Sequence, residues 1–149
     1  MHNQGIQTST KVLSLNREIA TKAQAKYLLI MPGDELFVLK RIRYANNVPI
    51  MLDESRIPVS IAPNLDTIDF EKNSLYDVLE RVYNICVSRA KEIFEPVIVQ
   101  KQESIYLNVD ENSPAIMLDR IAYSSHDVPV EFCRSIIPGD KCRFYTELR

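Results

Sequence analysis

The chain has 149 residues, 46% apolar and 26% charged, with a formal charge of −2. That is enough for one domain with an ordinary hydrophobic core, at the composition of a soluble globular protein. A slightly negative chain without a basic stripe excludes electrostatic capture of duplex DNA, and no apolar run approaches the roughly 20 residues of a membrane-spanning helix.

Met1–Ser9 is polar and carries no signal peptide pattern; it reads as a mobile arm ahead of a single domain at residues 10–149. Thr10–Ile19 holds Val12, Leu13, Leu15 and Ile19, an imperfect strand alternation. Thr21–Ile30 places Ala23, Tyr27 and Ile30 at helical spacing behind Thr21 as N-cap. Pro32-Gly33-Asp34 ends that helix.

Leu36–Pro58 (LFVLKRIRYANNVPIMLDESRIP) reads as a β-hairpin. Side chains alternate along a strand, so Phe37, Leu39, Arg41 and Arg43 share one face, with Val38, Lys40, Ile42 and Tyr44 on the other. Asn46-Asn47 supplies the positive φ angles of a two-residue turn. Direct counting from that turn sets Arg43 opposite Ile50, Arg41 opposite Leu52 and Leu39 opposite Glu54, so Glu54 joins the arginine face while Lys40 meets Asp53. Two guanidinium groups among apolar neighbours, with a carboxylate nearby, form either a structural ion-pair cluster or a pocket for a small anion.

Ile57–Asn73 is a connector with Pro58 and Pro63. Ser74–Tyr83 is a helix whose Leu75, Val78, Leu79 and Val82 make a core stripe, with Ser74 and Asp77 spaced as a capping box and Tyr76 about a quarter-turn off the stripe. Ile85–Gln100 is a strand interrupted or ended near Pro96, Lys101–Leu107 a short helix, and Ala115–Tyr123 and Val128–Ile137 strands about a Ser124–Asp127 turn. His126 is a turn residue and Asp140 a turn former; Cys142–Leu148 reads as a last short strand.

Cys86, Cys133 and Cys142 are odd in number and lack Cys-x-x-Cys spacing, with only His2 and His126 to join them. No metal site and no cofactor is expected, and reduced thiols in a cytoplasmic protein are. Cys133 as a nucleophile would lack a histidine partner except the turn residue His126. Gly5, Gly33 and Gly139 are scattered singly, so no glycine-rich phosphate loop exists.

The chain also repeats itself. A shift of 79 places Tyr27-Leu28 on Tyr106-Leu107, Arg41-Ile42 on Arg120-Ile121 and Tyr44 on Tyr123; a shift of 80 then places Val48-Pro49-Ile50 on Val128-Pro129-Val130 and Pro58 on Pro138. Two related halves, about Lys11–Pro58 and Ala90–Pro138 with the Ser74 helix between them, most naturally share one antiparallel sheet. They differ at Arg43 against Ala122, Met51 against Glu131 and Glu54 against Arg134. Arg41 has a counterpart in Arg120 and Arg43 has none, which makes Arg43 the harder of the two to explain by folding.

LFVLKRIRYANNVPIMLDESRIP, the Asn73–Glu80 run NSLYDVLE and SPAIMLDRIAYSSHDVPVEFCRSIIPGDKCRF together resemble, in order and spacing, the UTRA domain of GntR-type bacterial transcription regulators of the HutC subfamily. The resemblance covers about Lys11 to Phe144. It implies an α/β (α+β), chorismate-lyase-like fold with a central antiparallel sheet from two related halves and flanking helices. It further implies homodimerisation, no membrane, no catalysis, and contact with operator DNA only through a winged helix-turn-helix domain that this chain does not contain. The effector would be a small anionic metabolite: a sugar phosphate, a carboxylate, an amino-acid-related compound or a fatty acid. Carried over by position, Arg41 and Arg43 would hold the anion with Ser74 and Tyr76, Glu54 and Glu131 would accept ligand hydrogen bonds, and Thr10 in the Thr8–Thr10 arm would close over it. Asp127 stands where the family has glycine, and Ile137-Pro138 where many members have tyrosine and arginine, which weakens a sugar phosphate and leaves room for a more apolar tail. The competing readings are a chorismate-lyase-like enzyme acting on an aromatic carboxylate and a dimerisation module with a vestigial pocket.

Overall fold

Apolar alternation in six segments produces six strands, and helical spacing in three short segments produces three helices. The computed structural model describes residues 5–143 and Glu147. In chain order the elements are β1 (Thr8–Ile19), α1 (Lys22–Leu28), β2 (Glu35–Ala45), β3 (Val48–Pro58), α2 (Leu75–Tyr83), β4 (Val87–Ile98), α3 (Lys101–Leu107), β5 (Pro114–Ser124) and β6 (Pro129–Pro138). All neighbouring strands are antiparallel, in the order β1-β2-β3-β6-β5-β4. The two halves of the sequence repeat are therefore two three-stranded units, β1-β2-β3 and β4-β5-β6, that meet back to back where β3 pairs with β6.

The repeat extends to fine detail. Thr21 caps α1 reciprocally with Gln24, and 79 residues later the Gln100 N–H donates to Glu103 Oε1 at 2.9 Å at the start of α3. Both helices end on a residue in the left-handed region, Leu29 (φ 52°) and Asn108 (φ 53°).

Asn46 and Asn47 take φ of 49° and 64°, as the expected turn requires. The register does not follow direct counting. Tyr44 pairs with Pro49 but Arg43 pairs with Met51, leaving Ile50 as an extra residue. The same bulge recurs in the second hairpin, where Tyr123 pairs with Pro129 and Ala122 with Glu131. Pro49 and Pro129 have no N–H to give to a ladder, and a bulge is one place where a sheet accommodates that. Arg41 is consequently opposite Asp53, Leu39 opposite Ser55 and Lys40 opposite Glu54. A one-residue slip exchanges faces, so Asp53 takes the place on the arginine face expected for Glu54.

α2 and the connector cover the Phe37–Leu39–Arg41 face, where Phe37, Leu39 and Ile57 pack with Ala62, Leu65, Phe70, Leu75, Val78 and Leu79. The connector, which includes a 3-10 turn at Leu65–Thr67, is thus part of the core. α1 and α3 cover the other face: Leu28 packs with Leu36 and Phe132, and Leu107 with Ile42, Leu52 and Ile136. Other departures from expectation lie at boundaries. β1 starts at Thr8 inside the expected arm, and Gln7 is already tied to Asn46 by two hydrogen bonds (2.7 and 2.9 Å). Pro96 lies within β4 without breaking it, because β4 is an edge strand paired only to β5. Cys142 and Arg143 follow a 3-10 turn at Gly139–Lys141 and are not in a strand; most of the expected Cys142–Leu148 strand lies outside the described residues.

Candidate functional site

A small cleft of about 100 Å³ opens where the N-terminus of α2 meets the sheet. β2 contributes Arg41 and Arg43, β5 Arg120, β6 Glu131 and Cys133, and α2 with its N-cap Ser74, Leu75 and Tyr76. Five residues expected at a binding site, Arg41, Arg43, Ser74, Tyr76 and Glu131, are brought together here.

Arg41 is 7% exposed, and its Nε has no hydrogen-bond partner. Among the described residues it makes no ion pair, although Asp53 faces it in the ladder. The Asp53 carboxylate is engaged elsewhere: it accepts a hydrogen bond from Ser135 Oγ at 2.6 Å and lies 3.6 Å from Arg43 Nη1. Arg43 is half-exposed at the mouth. A buried Nε–H without a partner is costly, because its desolvation is uncompensated.

The floor is fixed by a second pair. Tyr76 Oη donates to Glu131 Oε1 at 2.5 Å, and Glu131 is 2% exposed. Burial, and next the adjacent Glu131 charge, push the Tyr76 phenol well above the usual tyrosine range, so it stays a donor. Burial likewise pushes the Cys133 thiol up from 9.0 to about 11, with Glu131 and Asp53 adding to the effect. Cys133 is therefore a neutral wall group at neutral pH and no nucleophile. Arg120 reaches across from β5 and donates from Nε to Glu92 Oε2 at 2.9 Å.

Ser74 occupies the N-cap position of α2, but its hydroxyl makes no capping bond; Asp77 pairs instead with Arg81 at 3.7 Å. The capping box expected from the Ser74–Asp77 spacing is absent. The first-turn N–H groups of a helix have no intrahelical acceptor, and the positive end of the helix dipole lies there. Here that end borders the same cleft as three arginines.

The UTRA domain model matches residues 3–143. The chain belongs to the UTRA domain family. It is 26% identical over 144 residues to the HTH-type transcriptional repressor NagR of Bacillus subtilis, covering 97% of this chain and 59% of that protein. It is 25% identical to a histidine utilization repressor of Pseudomonas putida, covering 93% of this chain and 55% of that one. This UTRA chain thus spans less than two thirds of the curated relatives it matches. Among solved structures, the C-terminal domain of Yurk from Bacillus subtilis is 27% identical with a TM-score of 0.85, over 90% of this chain and 92% of that one. The effector domain of PhnF from Mycobacterium smegmatis shares the fold at a TM-score of 0.90 and 23% identity, over 98% and 90% of the two chains. The antiparallel six-stranded α+β fold is thereby established, and the two curated relatives are repressors.

Two expected UTRA site residues are not in the cleft. Glu54 points to the reverse face, where Arg56 Nη1 donates to its Oε1 at 2.9 Å; the Ile50 bulge is the reason. Thr10 pairs with Arg43 in the β1–β2 ladder but borders a separate depression with Tyr44 and Asn47. Arg120 and Cys133 are in the cleft and were not expected there. Arg120 was signalled by the repeat as the mate of Arg41 but read as scaffold; Cys133 had no signal beyond its place two residues after Glu131. Among the described residues no cluster of His, Cys, Asp and Glu could hold a metal ion, and no helix is long and apolar enough to cross a membrane.

Proposed function

We propose that this chain is the effector-binding domain of a GntR-type transcription regulator and that the Arg41 cleft takes the anionic group of a small metabolite, a phosphate or a carboxylate. The observation that carries this reading is Arg41, a buried arginine without an ion pair among the described residues, lining a cleft with Arg43, Arg120 and the free end of α2. An oxyanion satisfies that guanidinium by the geometry arginine uses for carboxylates and phosphates. At about 100 Å³ the cleft holds the charged group alone, and the rest of the metabolite extends past Arg43 to the mouth.

Relatives support the regulatory role: they include repressors named for fructoselysine utilization, histidine utilization and mannosyl-D-glycerate metabolism. Those roles differ, so the ligand of this chain is argued from its own cleft. In this reading operator DNA is contacted by a separate winged helix-turn-helix domain, in a cytoplasmic homodimer, and anion binding changes the DNA affinity of that attached domain. A lyase reading is less well supported. Tyr76 is held as a donor to Glu131 and the Cys133 thiol is raised to about 11, which leaves the cleft without a group tuned for proton transfer near neutral pH.

The test is a thermal-shift series with inorganic phosphate and a panel of sugar phosphates, hydroxy acids and amino-acid-derived carboxylates. One or more anions should raise the melting temperature of the wild-type chain, and the Arg41→Ala, Arg43→Ala double variant should lose the response. A full response in the double variant rules the cleft out.

A further inference from the structure

The face of the sheet opposite the arginine cleft carries two further clefts that are mates in the sequence repeat. One lies under α3, bordered by Gln100, Gln102, Glu103 and Tyr106; the other lies under α1, bordered by Thr21, Ala23, Gln24 and Tyr27. Each helix residue of the first is the 79-residue mate of one in the second. Their floors are likewise related by 80: Leu52 and Ile136 under α3 against Phe132 and Arg56 under α1, with Glu54 and Arg134 shared between them.

Among the described residues, divergence between the mates leaves a charge without an ion pair in only one. Under α1 every charge is matched. Arg134 donates twice to Asp119, both bonds at 2.8 Å, Arg56 pairs with Glu54 and Glu18, and Tyr27 stacks on Phe132 at 5.2 Å. Under α3 the repeat mate of Asp119 is Lys40 and that of Phe132 is Leu52. Lys40 makes no ion pair among the described residues; its ladder neighbour Glu54 is held by Arg56, and its Nζ lies 5.0 Å from the Tyr106 ring centroid. The smaller Leu52 and the aliphatic Ile136 leave an apolar floor beside that ammonium, in a cavity of about 170 Å³.

We propose that the α3 cleft is a second binding site, for a short monocarboxylate whose charge sits on Lys40 and whose chain covers Leu52 and Ile136. The Gln102 amide at the rim is a donor for the second carboxylate oxygen, whereas the Gln100 amide already donates to the Ile98 carbonyl at 3.3 Å. The ligand is small, since the cavity is well below the roughly 300–1,000 Å³ of sites for drug-sized molecules. A carboxylate is favoured over a phosphate because, among the described residues, Lys40 is the one cation at the site without an ion pair and the floor is apolar, whereas the arginine cleft through the sheet has three guanidinium groups and a polar lining.

The experiment is an amide NMR titration of the whole chain with butyrate, with butyramide as the uncharged control and inorganic phosphate as the probe of the arginine cleft. Butyrate should shift the amides of Gln100–Glu103 and Tyr106 saturably, butyramide should bind at least about tenfold more weakly, and phosphate should leave those amides unmoved. Lys40→Met should weaken butyrate about tenfold or more while Lys40→Arg restores it, with phosphate binding the same in both. Shifts confined to the arginine cleft, equal shifts at the α1 mate, butyrate binding unaffected by Lys40→Met, or no saturable shift at all would each overturn the proposal. The phosphate arm reports on the effector cleft separately, so failure at one site is not failure at the other.

Discussion

Arg41 is the residue at which folding and binding pull in opposite directions. Its side chain is 7% exposed, its Nε is unpartnered, and its ladder neighbour Asp53 is engaged by Ser135 and Arg43. Replacing a buried, unpaired charge by an apolar side chain of similar length relieves desolvation. Arg41→Met should therefore raise the stability of the ligand-free chain by about 1–3 kcal/mol, read as a higher urea midpoint at unchanged m-value, while abolishing the thermal response to anions. A lower midpoint would mean that Arg41 is a structural group. Tyr76→Phe acts in the other direction, since it leaves the buried Glu131 without its 2.5 Å donor; a loss of about 1–3 kcal/mol is expected in the same assay. Cys133 gives the alkaline behaviour. Its folded pKa is raised from 9.0 to about 11, so the folded state holds a proton that the unfolded state gives up. The stabilising contribution is complete below pH 9 and is lost as pH rises toward about 11. In Cys133→Ala, urea midpoints measured across that window should fall less steeply than in the wild type.

The two N-capped helices that face opposite sides of the sheet show how similar local sequence serves different ends. Thr21 caps α1 through its hydroxyl and the Gln24 return bond, whereas Ser74 sits at the same position of α2 with its hydroxyl unused. Thr21→Ala should cost about 1 kcal/mol of stability, and Ser74→Ala only a few tenths. If Ser74 serves the anion, Ser74→Ala should still weaken phosphate binding, measurable by calorimetry; equal stability losses in the two variants would show that Ser74 is an ordinary cap. Helices and strands were legible here because apolar spacing reports them directly. Strand register was not. The extra Ile50 beside Pro49 shifts every following residue of β3 by one, which moved Asp53 to the arginine face and Glu54 to the reverse. A bulge is set by where a proline falls in the ladder, and side-chain alternation alone does not encode it. Thr10 illustrates a further limit: its pairing with Arg43 is real, yet a shared face does not by itself make a shared cavity.

At the scale of the molecule, the repeat offsets of 79 and 80 foretold two related halves in one sheet, and the ladder shows that they join through β3 and β6. The Arg41 cleft straddles that junction, as the expected grouping of Glu131 with Arg41, Arg43, Ser74 and Tyr76 implied; its unforeseen members are Arg120 and Cys133. Arg41 and Arg43 come from the first half, Arg120, Glu131 and Cys133 from the second, and Ser74 and Tyr76 from the helix joining them. An anion that binds only this assembled site stabilises both halves at once, by RT ln(1 + [L]/Kd), or about 2.7 kcal/mol at a hundredfold excess over Kd. Amides that exchange only through global opening should then slow by about a hundredfold in β2 and in β6 alike when inorganic phosphate is added at that excess. The outer strand β4, exposed along nearly its whole length and paired on one side, should change far less because it exchanges by local fraying. Slowing in β2 without slowing in β6 would show that the halves open independently or that the second half takes no part in binding. Hydrogen exchange followed by mass spectrometry separates these outcomes, because β2 and β6 lie more than eighty residues apart in the chain and fall on different peptides.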